Sequence, residues 1–278
     1  MLMNVYWLEQ NEADVPREND WLSASEMARL NGMRVPKRRN DWRLGRWTAK
    51  HAVAAFLNLP AEPCSLTGIE LRPAASGAPE VFIANEPSRV AISLSHRAGL
   101  AVCAVAPPHG AIGCDLETIE PHSAAFVDDY FTTDEQELVA RMTAGDQPQL
   151  LALLWSGKES ALKALRAGLR LDTRSLSVLP VLALRRQNDD GKWCIVDSNL
   201  GVPSLDDFNG WRPLHVRYTH GQVFHGWWQH TGNLVRTIVA TPPTAPPILL
   251  TRSRLKETGG KRSTISSGRS CAAEAEAL

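Results

Sequence analysis

The sequence predicts an α+β fold with antiparallel strands, and three observations predict it. Strand-like apolar runs at 90–94, 100–106 and 111–117 follow one another, the last two joined only by Pro107-Pro108-His109-Gly110. Long helical patterns stand before and after that group, so the elements do not alternate as regular βαβ units. A weak internal repeat also runs through the chain. Trp47-Thr48-Ala49-Lys50-His51-Ala52-Val53 resembles Trp155-Ser156-Gly157-Lys158-Glu159-Ser160-Ala161, and residues 96–106 resemble 230–240. The order, long helix and then His-loop-strand, recurs. It suggests two similar halves with a site at the seam between them.

Each element has a local cause. Ser23-x-x-Glu26 is a capping-box pattern that starts a short helix. Pro36 suits the first turn of a long helix ending near Leu57, with an apolar stripe of Trp42, Ala49, Ala52, Val53 and Phe56. Thr132-x-x-Glu135 caps another helix. Pro148 opens a helix expected to run to Ala167 and stop at Gly168. Further strands are expected near 174–184, 192–197, 213–219 and 233–240. From Thr241-Pro242-Pro243 onward the chain is rich in Pro, Ser, Thr, Arg and Gly. The expected organisation is therefore an N-terminal half over 1–109, a C-terminal half over 110–241, and a disordered tail over 242–278.

Composition excludes several classes. Thirty basic residues balance thirty acidic ones, so net charge gives no reason to propose nucleic acid. The five cysteines are odd in number and widely spaced, with no C-x-x-C pair, which argues against a disulfide framework or a structural zinc site. The N-terminus has early acidic residues and no signal-peptide pattern, and no apolar run has the length of a membrane span. A cytoplasmic protein is expected.

The chemistry concentrates in two segments. Asp115 and Glu117 stand at i and i+2, so on a strand they share one face. Glu159 and Lys163 stand at i and i+4, one helical turn apart. Either piece alone also describes a solvated strand edge or a surface ion pair. Both, however, sit against apolar segments that must pack together. Three carboxylates around one divalent metal, with a lysine beside them, would suit phosphate chemistry. Lys37, Arg38, Arg39, Arg43, Arg46 and Lys50 are dense in the first long helix. A solvated helix face explains such a run as well as an anion site does.

With these residues in hand, the chain resembles the surfactin-synthetase-activating type of 4′-phosphopantetheinyl transferase. Gly113-Cys114-Asp115-Leu116-Glu117 is similar to that family's G-[IV]-D-[IVL]-E. Trp155-Ser156-Gly157-Lys158-Glu159-Ser160-Ala161-Leu162-Lys163 is similar to its W-[ST]-x-K-E-[SA]-x-x-K. Phe131 to Glu135 looks like F-[ST]-x-x-E, and Ser93-Leu94-Ser95-His96-Arg97 looks like [NS]-[LI]-S-H-[ST]. Gly168 to Leu171 matches the family's next glycine-containing region loosely. The resemblance spans roughly residues 20–240.

The resemblance implies a pseudodimer of two α+β halves with one active site between them, and hence a monomer. It implies transfer of the phosphopantetheine arm of coenzyme A to a serine of an apo acyl or peptidyl carrier protein, in fatty acid, polyketide or nonribosomal peptide biosynthesis. Asp115, Glu117 and Glu159 would hold Mg²⁺, and Glu159 would act as base. Lys163 would meet a phosphate, with Lys158 also assigned to the coenzyme. His96 and Ser95 would meet the coenzyme 3′-phosphate, and Arg38 or Arg39, with Arg46, the other phosphates. Gly77-Ala78-Pro79 stands where the family often has Gly-Lys-Pro, so Gly77 and Pro79 are expected beside the coenzyme without the lysine contact. Arg97 replaces a small residue. Phe126, Val127, Tyr130 and Phe131 are a docking patch or core, with core preferred for Phe131. The alternatives are a non-catalytic coenzyme A- or carrier-binding protein and a metal-dependent nuclease. Against the nuclease, Ile119 stands where its lysine should follow the second acid.

Overall fold

The computed structural model describes residues 2–182, 184–186, 191–195 and 210–251. Strand β1 (Tyr6–Asn11) leads to helix α1 (Ala24–Asn31). Ser23 and Glu26 cap it reciprocally, each side chain accepting the other's backbone N–H. Helix α2 (Pro36–Leu57) starts on its proline and stops at Asn58 in the left-handed region. The single turn α3 (Pro63–Leu66) precedes a small antiparallel sheet of β2 (Ile69–Pro73), β3 (Pro79–Ile83) and β4 (Glu86–Pro87). Strands β5 (Ala91–Arg97) and β6 (Leu100–Ala106) form a hairpin whose tip, Ala98-Gly99, has positive φ at both residues. Next come β7 (Ala111–Thr118), α4 (Ala124–Tyr130), α5 (Thr133–Arg141) and α6 (Gln147–Ala164). The remaining strands are β8 (Leu176–Pro180), β9 (Leu184–Arg186), β10 (Trp193–Ile195), β11 (Arg212–Tyr218), β12 (Val223–Thr231), β13 (Leu234–Thr241) and β14 (Ile248–Leu249).

Two sheets carry the architecture, one in the order β14-β1-β6-β5 and one in the order β7-β13-β12-β11-β8. Alternate residues of each sheet serve different cores. Cys103 and Val105 of β6 face α2, with Ala49 and Val53, while Val102 and Ala104 face the second sheet. On β13, Val235 and Val239 face α6 with Leu150 and Leu154, while Ile238 and Ala240 face the first sheet. Each sheet thus carries one long helix on its outer side, and the two share the core between them. Serines of β5 stitch that seam: Ser93 Oγ accepts the Cys114 N–H at 2.9 Å, and Ser95 Oγ donates to Asp115 at 2.8 Å.

Helix α6 lies very close to β7. A Cβ on Gly113 would collide with the Ser160 carbonyl, so glycine is required at that contact. Ser156 and Ser160 both hydrogen-bond Thr237 Oγ1, at 2.9 and 2.7 Å, which fixes the rotation of α6 on β13.

The same buried ion pair occurs under both long helices. Lys50 Nζ donates to the Trp21 and Leu66 carbonyls at 2.9 and 3.0 Å and lies 2.6 Å from Glu26. Lys158 Nζ donates to the Thr173 and Leu176 carbonyls at 2.9 and 2.6 Å and lies 2.8 Å from Glu135. The second carboxylate oxygen of each glutamate accepts a strand N–H, from Leu71 and from Val178. Glu135 belongs to a capping box with Thr132, as Glu26 does with Ser23.

Several expectations need correction. Helix α6 ends at Ala164 rather than Ala167, because Arg166 turns left-handed at φ 54° ahead of Gly168. Residues 242–251 do not begin a tail: β14 pairs parallel with β1, and Leu250 is buried beside α2. Prolines mark the crossing into β14, including a cis Thr241-Pro242 bond. The tail expected over 252–278, and part of the strand expected over 192–197, fall outside the described residues. Phe131 is core at 1% exposure, whereas Tyr130 is 38% exposed and stacks edge-on with Trp155. Among the described residues, no helix is long and apolar enough to cross a membrane.

Candidate active site

The close approach of α6 to β7 brings the two chemical segments together. Asp115 is 4% exposed. Its Oδ1 accepts from Lys163 Nζ at 2.7 Å and from Ser95 Oγ at 2.8 Å, and Lys163 also donates to the Cys114 carbonyl at 3.1 Å. Its Oδ2 is buried with no hydrogen-bond partner. An unsatisfied carboxylate oxygen is costly to bury, and a cation bound beside it would offset that cost.

The neighbouring acids respond to one another. Burial, then the Asp115 carboxylate, pushes Glu117 from 4.5 up to about 7, with Glu159 adding to the rise and Arg97 and Lys163 opposing it. Glu159 is raised by burial and by Asp115, against Lys163. Burial alone would lower Lys163, but Asp115 above all outweighs it and holds the ammonium charged. Among the described residues, no three His, Cys, Asp or Glu side chains are already gathered as a metal cage. The donor set itself is three hard carboxylates, one with a bare oxygen, and that chemistry fits a hard divalent ion such as Mg²⁺.

A cleft of about 430 Å³ opens beside this group. Lys163, His96, Arg46, Gly77 and Pro79 are among the residues that line it, while Asp115, Glu117 and Glu159 are not. Gly77 makes the turn before β3 at φ 88°, with its N–H on the Ala74 carbonyl. Packing around the His96 ring lowers its pKa, and Lys163 and Lys37 push the same way against Asp41. Arg46 is held over the Trp42 ring, 4.9 Å from its centroid, and its buried Nε makes no hydrogen bond but lies 3.8 Å from Glu26 Oε1. Ser95 serves the site differently, by fixing Asp115.

Three expected coenzyme residues lie elsewhere. Lys158 is fully buried in its ion pair with Glu135, because it sits about 100° around the helix from Glu159 and faces away from the cleft. Arg39 donates to the Leu30 and Met33 carbonyls and secures the α1–α2 turn. Arg38 is exposed on α2 and does not line the cleft. Sequence reading missed Arg29 and Arg166, which add positive charge to the lining. Arg29 is a last-turn basic residue of α1, an ordinary partner for a helix C-terminus, so its pattern gave no signal.

The site supplies an ordered set of carboxylates, a charged lysine hydrogen-bonded to one of them, and a cleft bearing arginines. That arrangement can bind a phosphorylated molecule and accept a proton beside it. A comparison with curated proteins finds no match to the chain. Residues 111–221, which hold Asp115, Glu117, Glu159 and Lys163, match the family model described as ACPS, the 4′-phosphopantetheinyl transferase superfamily.

Proposed function

We propose that this protein transfers the 4′-phosphopantetheine arm of coenzyme A to a serine hydroxyl of an apo acyl or peptidyl carrier protein. The serine oxygen would bond to the β-phosphorus while that phosphorus's bond to the bridging oxygen breaks, the bridging oxygen leaving on the adenosine 5′-phosphate. The serine proton leaves to a base, and adenosine 3′,5′-bisphosphate departs. The observation that carries this reading is the bare, buried Oδ2 of Asp115, on a carboxylate that also holds Lys163, inside the stretch that matches the family and beside an arginine-lined cleft.

The residues divide the work. Arg46 and His96, with the Gly77-to-Pro79 turn, are suited to the coenzyme's phosphates. Lys163 would offer its ammonium to the leaving phosphate. Glu159, with its raised pKa, suits the role of proton acceptor from serine. Asp115, Glu117 and Glu159 would hold Mg²⁺, which when bound supplies charge neutralisation on the pyrophosphate. The paired Lys–Glu cores and the similar order of elements support a pseudodimer of two halves; that it acts as a monomer in the cytoplasm is part of the proposal.

The test is mass spectrometry of apo carrier proteins incubated with the protein, coenzyme A and Mg²⁺. Gain of one phosphopantetheine group is expected. Glu159→Gln should abolish the gain while coenzyme A still binds. Substantial transfer by that variant would remove Glu159 as the base. No transfer across fatty acid, polyketide and nonribosomal carriers would favour a coenzyme-binding protein.

A further inference from the structure

We infer that Arg97 sets how tightly the acidic face of β7 holds a divalent cation, by competing with that cation for Glu117. The inference rests on the reading that Asp115, Glu117 and Glu159 are the ligands.

Arg97 ends β5 at a fixed place. The Ala98-Gly99 tip of the hairpin is anchored where the Glu12 N–H donates to the Gly99 carbonyl at 3.1 Å. From there the guanidinium reaches across the seam to three residues near the end of β7. Its Nε donates to Thr118 Oγ1 at 3.2 Å and lies 3.4 Å from Glu117 Oε2. Its Nη2 is 2.5 Å from Glu120 Oε1. Two carboxylates therefore share one guanidinium, and the tighter contact goes to Glu120, which is 49% exposed.

That division matters because arginine cannot lose its proton to make way for an ion. Lys163 already places one positive charge on Asp115. Arg97 places a second beside Glu117, so an arriving divalent ion meets two fixed cations. Glu120 draws the guanidinium outward and leaves Glu117 partly available. Arg97 is thus a positioning residue with an electrostatic cost to metal binding, and Glu120 relieves that cost. A unit charge beside a divalent ion in a solvent-accessible site, screened by salt, changes affinity roughly three- to tenfold.

The experiment is Mn²⁺ binding, followed by the paramagnetic resonance signal of free Mn²⁺, with the full chain and no carrier. Thermal unfolding of every variant confirms folding. Arg97→Ser should bind Mn²⁺ three- to tenfold more tightly than the unaltered protein. Glu120→Gln should bind more weakly, because the released guanidinium turns to Glu117. In the Arg97→Ser background, Glu120→Gln should lose most of its effect. Equal or weaker binding by Arg97→Ser overturns the inference. Asp115→Asn separates the two failures. If it binds Mn²⁺ as well as the unaltered protein, or if neither binds, the ligand reading itself falls.

Discussion

The two long helices press on their sheets in the same way, yet the residues at matching positions of the two seams differ in charge. The strand registers make the comparison residue by residue. On β1, Leu8 faces Cys103 and Gln10 faces Ala101. On β7, Asp115 faces Thr237 and Glu117 faces Val235. Matching residues 96–106 to 230–240 sets Leu8 against Asp115 and Gln10 against Glu117. Matching the helices sets His51 against Glu159 and Ala55 against Lys163. Leu8, Gln10, His51 and Ala55 line a cleft of about 280 Å³ of their own, capped by Leu249 and Leu250 around β14. What the seams share is buried scaffolding: a capping box, a glutamate and a lysine held by two carbonyls. What they do not share is the chemistry at the matched positions: two strand carboxylates, a helix carboxylate and a lysine stand at the second seam where Leu8, Gln10, His51 and Ala55 stand at the first. The stabilising pair thus occurs twice and this acid–lysine cluster once.

The largest test of that asymmetry is catalytic. Asp115→Asn should lower transfer by about 10²- to 10⁴-fold, the range expected when an organising charge or a general base is lost. His51→Gln, at the matching helix position, should leave the rate within about twofold. Rates would come from the same carrier assay. A comparable loss from His51→Gln would break the comparison and make the first seam part of the active site.

A second test addresses the shared scaffolding. Lys158→Met strands Glu135 in the core and should cost about 3–5 kcal/mol in urea unfolding, whereas Lys50→Met should cost less, because Glu26 keeps Arg46 at 3.8 Å. Lys158→Met should leave the affinity of the remaining folded protein for coenzyme A unchanged within about twofold. A selective loss of coenzyme binding at full stability would return Lys158 to the cleft.

The sequence exposed the acidic strand and the Glu159–Lys163 helix because their spacing is local: i and i+2 on β7, i and i+4 on α6. Packing of apolar flanks then brought the two together. Lys158 was misread because adjacency to Glu159 says nothing about which way a helical side chain points. Its partner was visible as the N3 glutamate of a capping box, but a second role for that residue has no local signature. Arg29 and Arg166 reach the cleft only through tertiary folding. Strand β12 was missed because Gly226 and several polar and aromatic residues blur its alternation. That glycine is required, since a Cβ there would strike the Ile238 carbonyl. Residues 242–251 were misassigned because proline density resembles a linker, while two residues of β14 are enough to extend a sheet edge.

The smallest expected effect concerns pH, and it again separates the seams. Glu117 is raised from 4.5 to about 7 in the folded protein. A carboxyl raised on folding favours the fold when protonated. Its contribution is therefore fully present below about pH 4.5 and is lost as pH rises through about 7. Metal-free protein should lose melting temperature between pH 5 and 8, by a few degrees. Glu117→Gln makes β7 resemble β1, where Gln10 holds the matching position and does not titrate. That variant should show a flatter profile over the same interval. Added Mn²⁺ should flatten the profile of the unaltered protein too, because a bound cation favours the ionised carboxylate. A steep profile in Glu117→Gln would mean that another group carries the dependence, and the electrostatic contrast between the two strands would then not extend to stability.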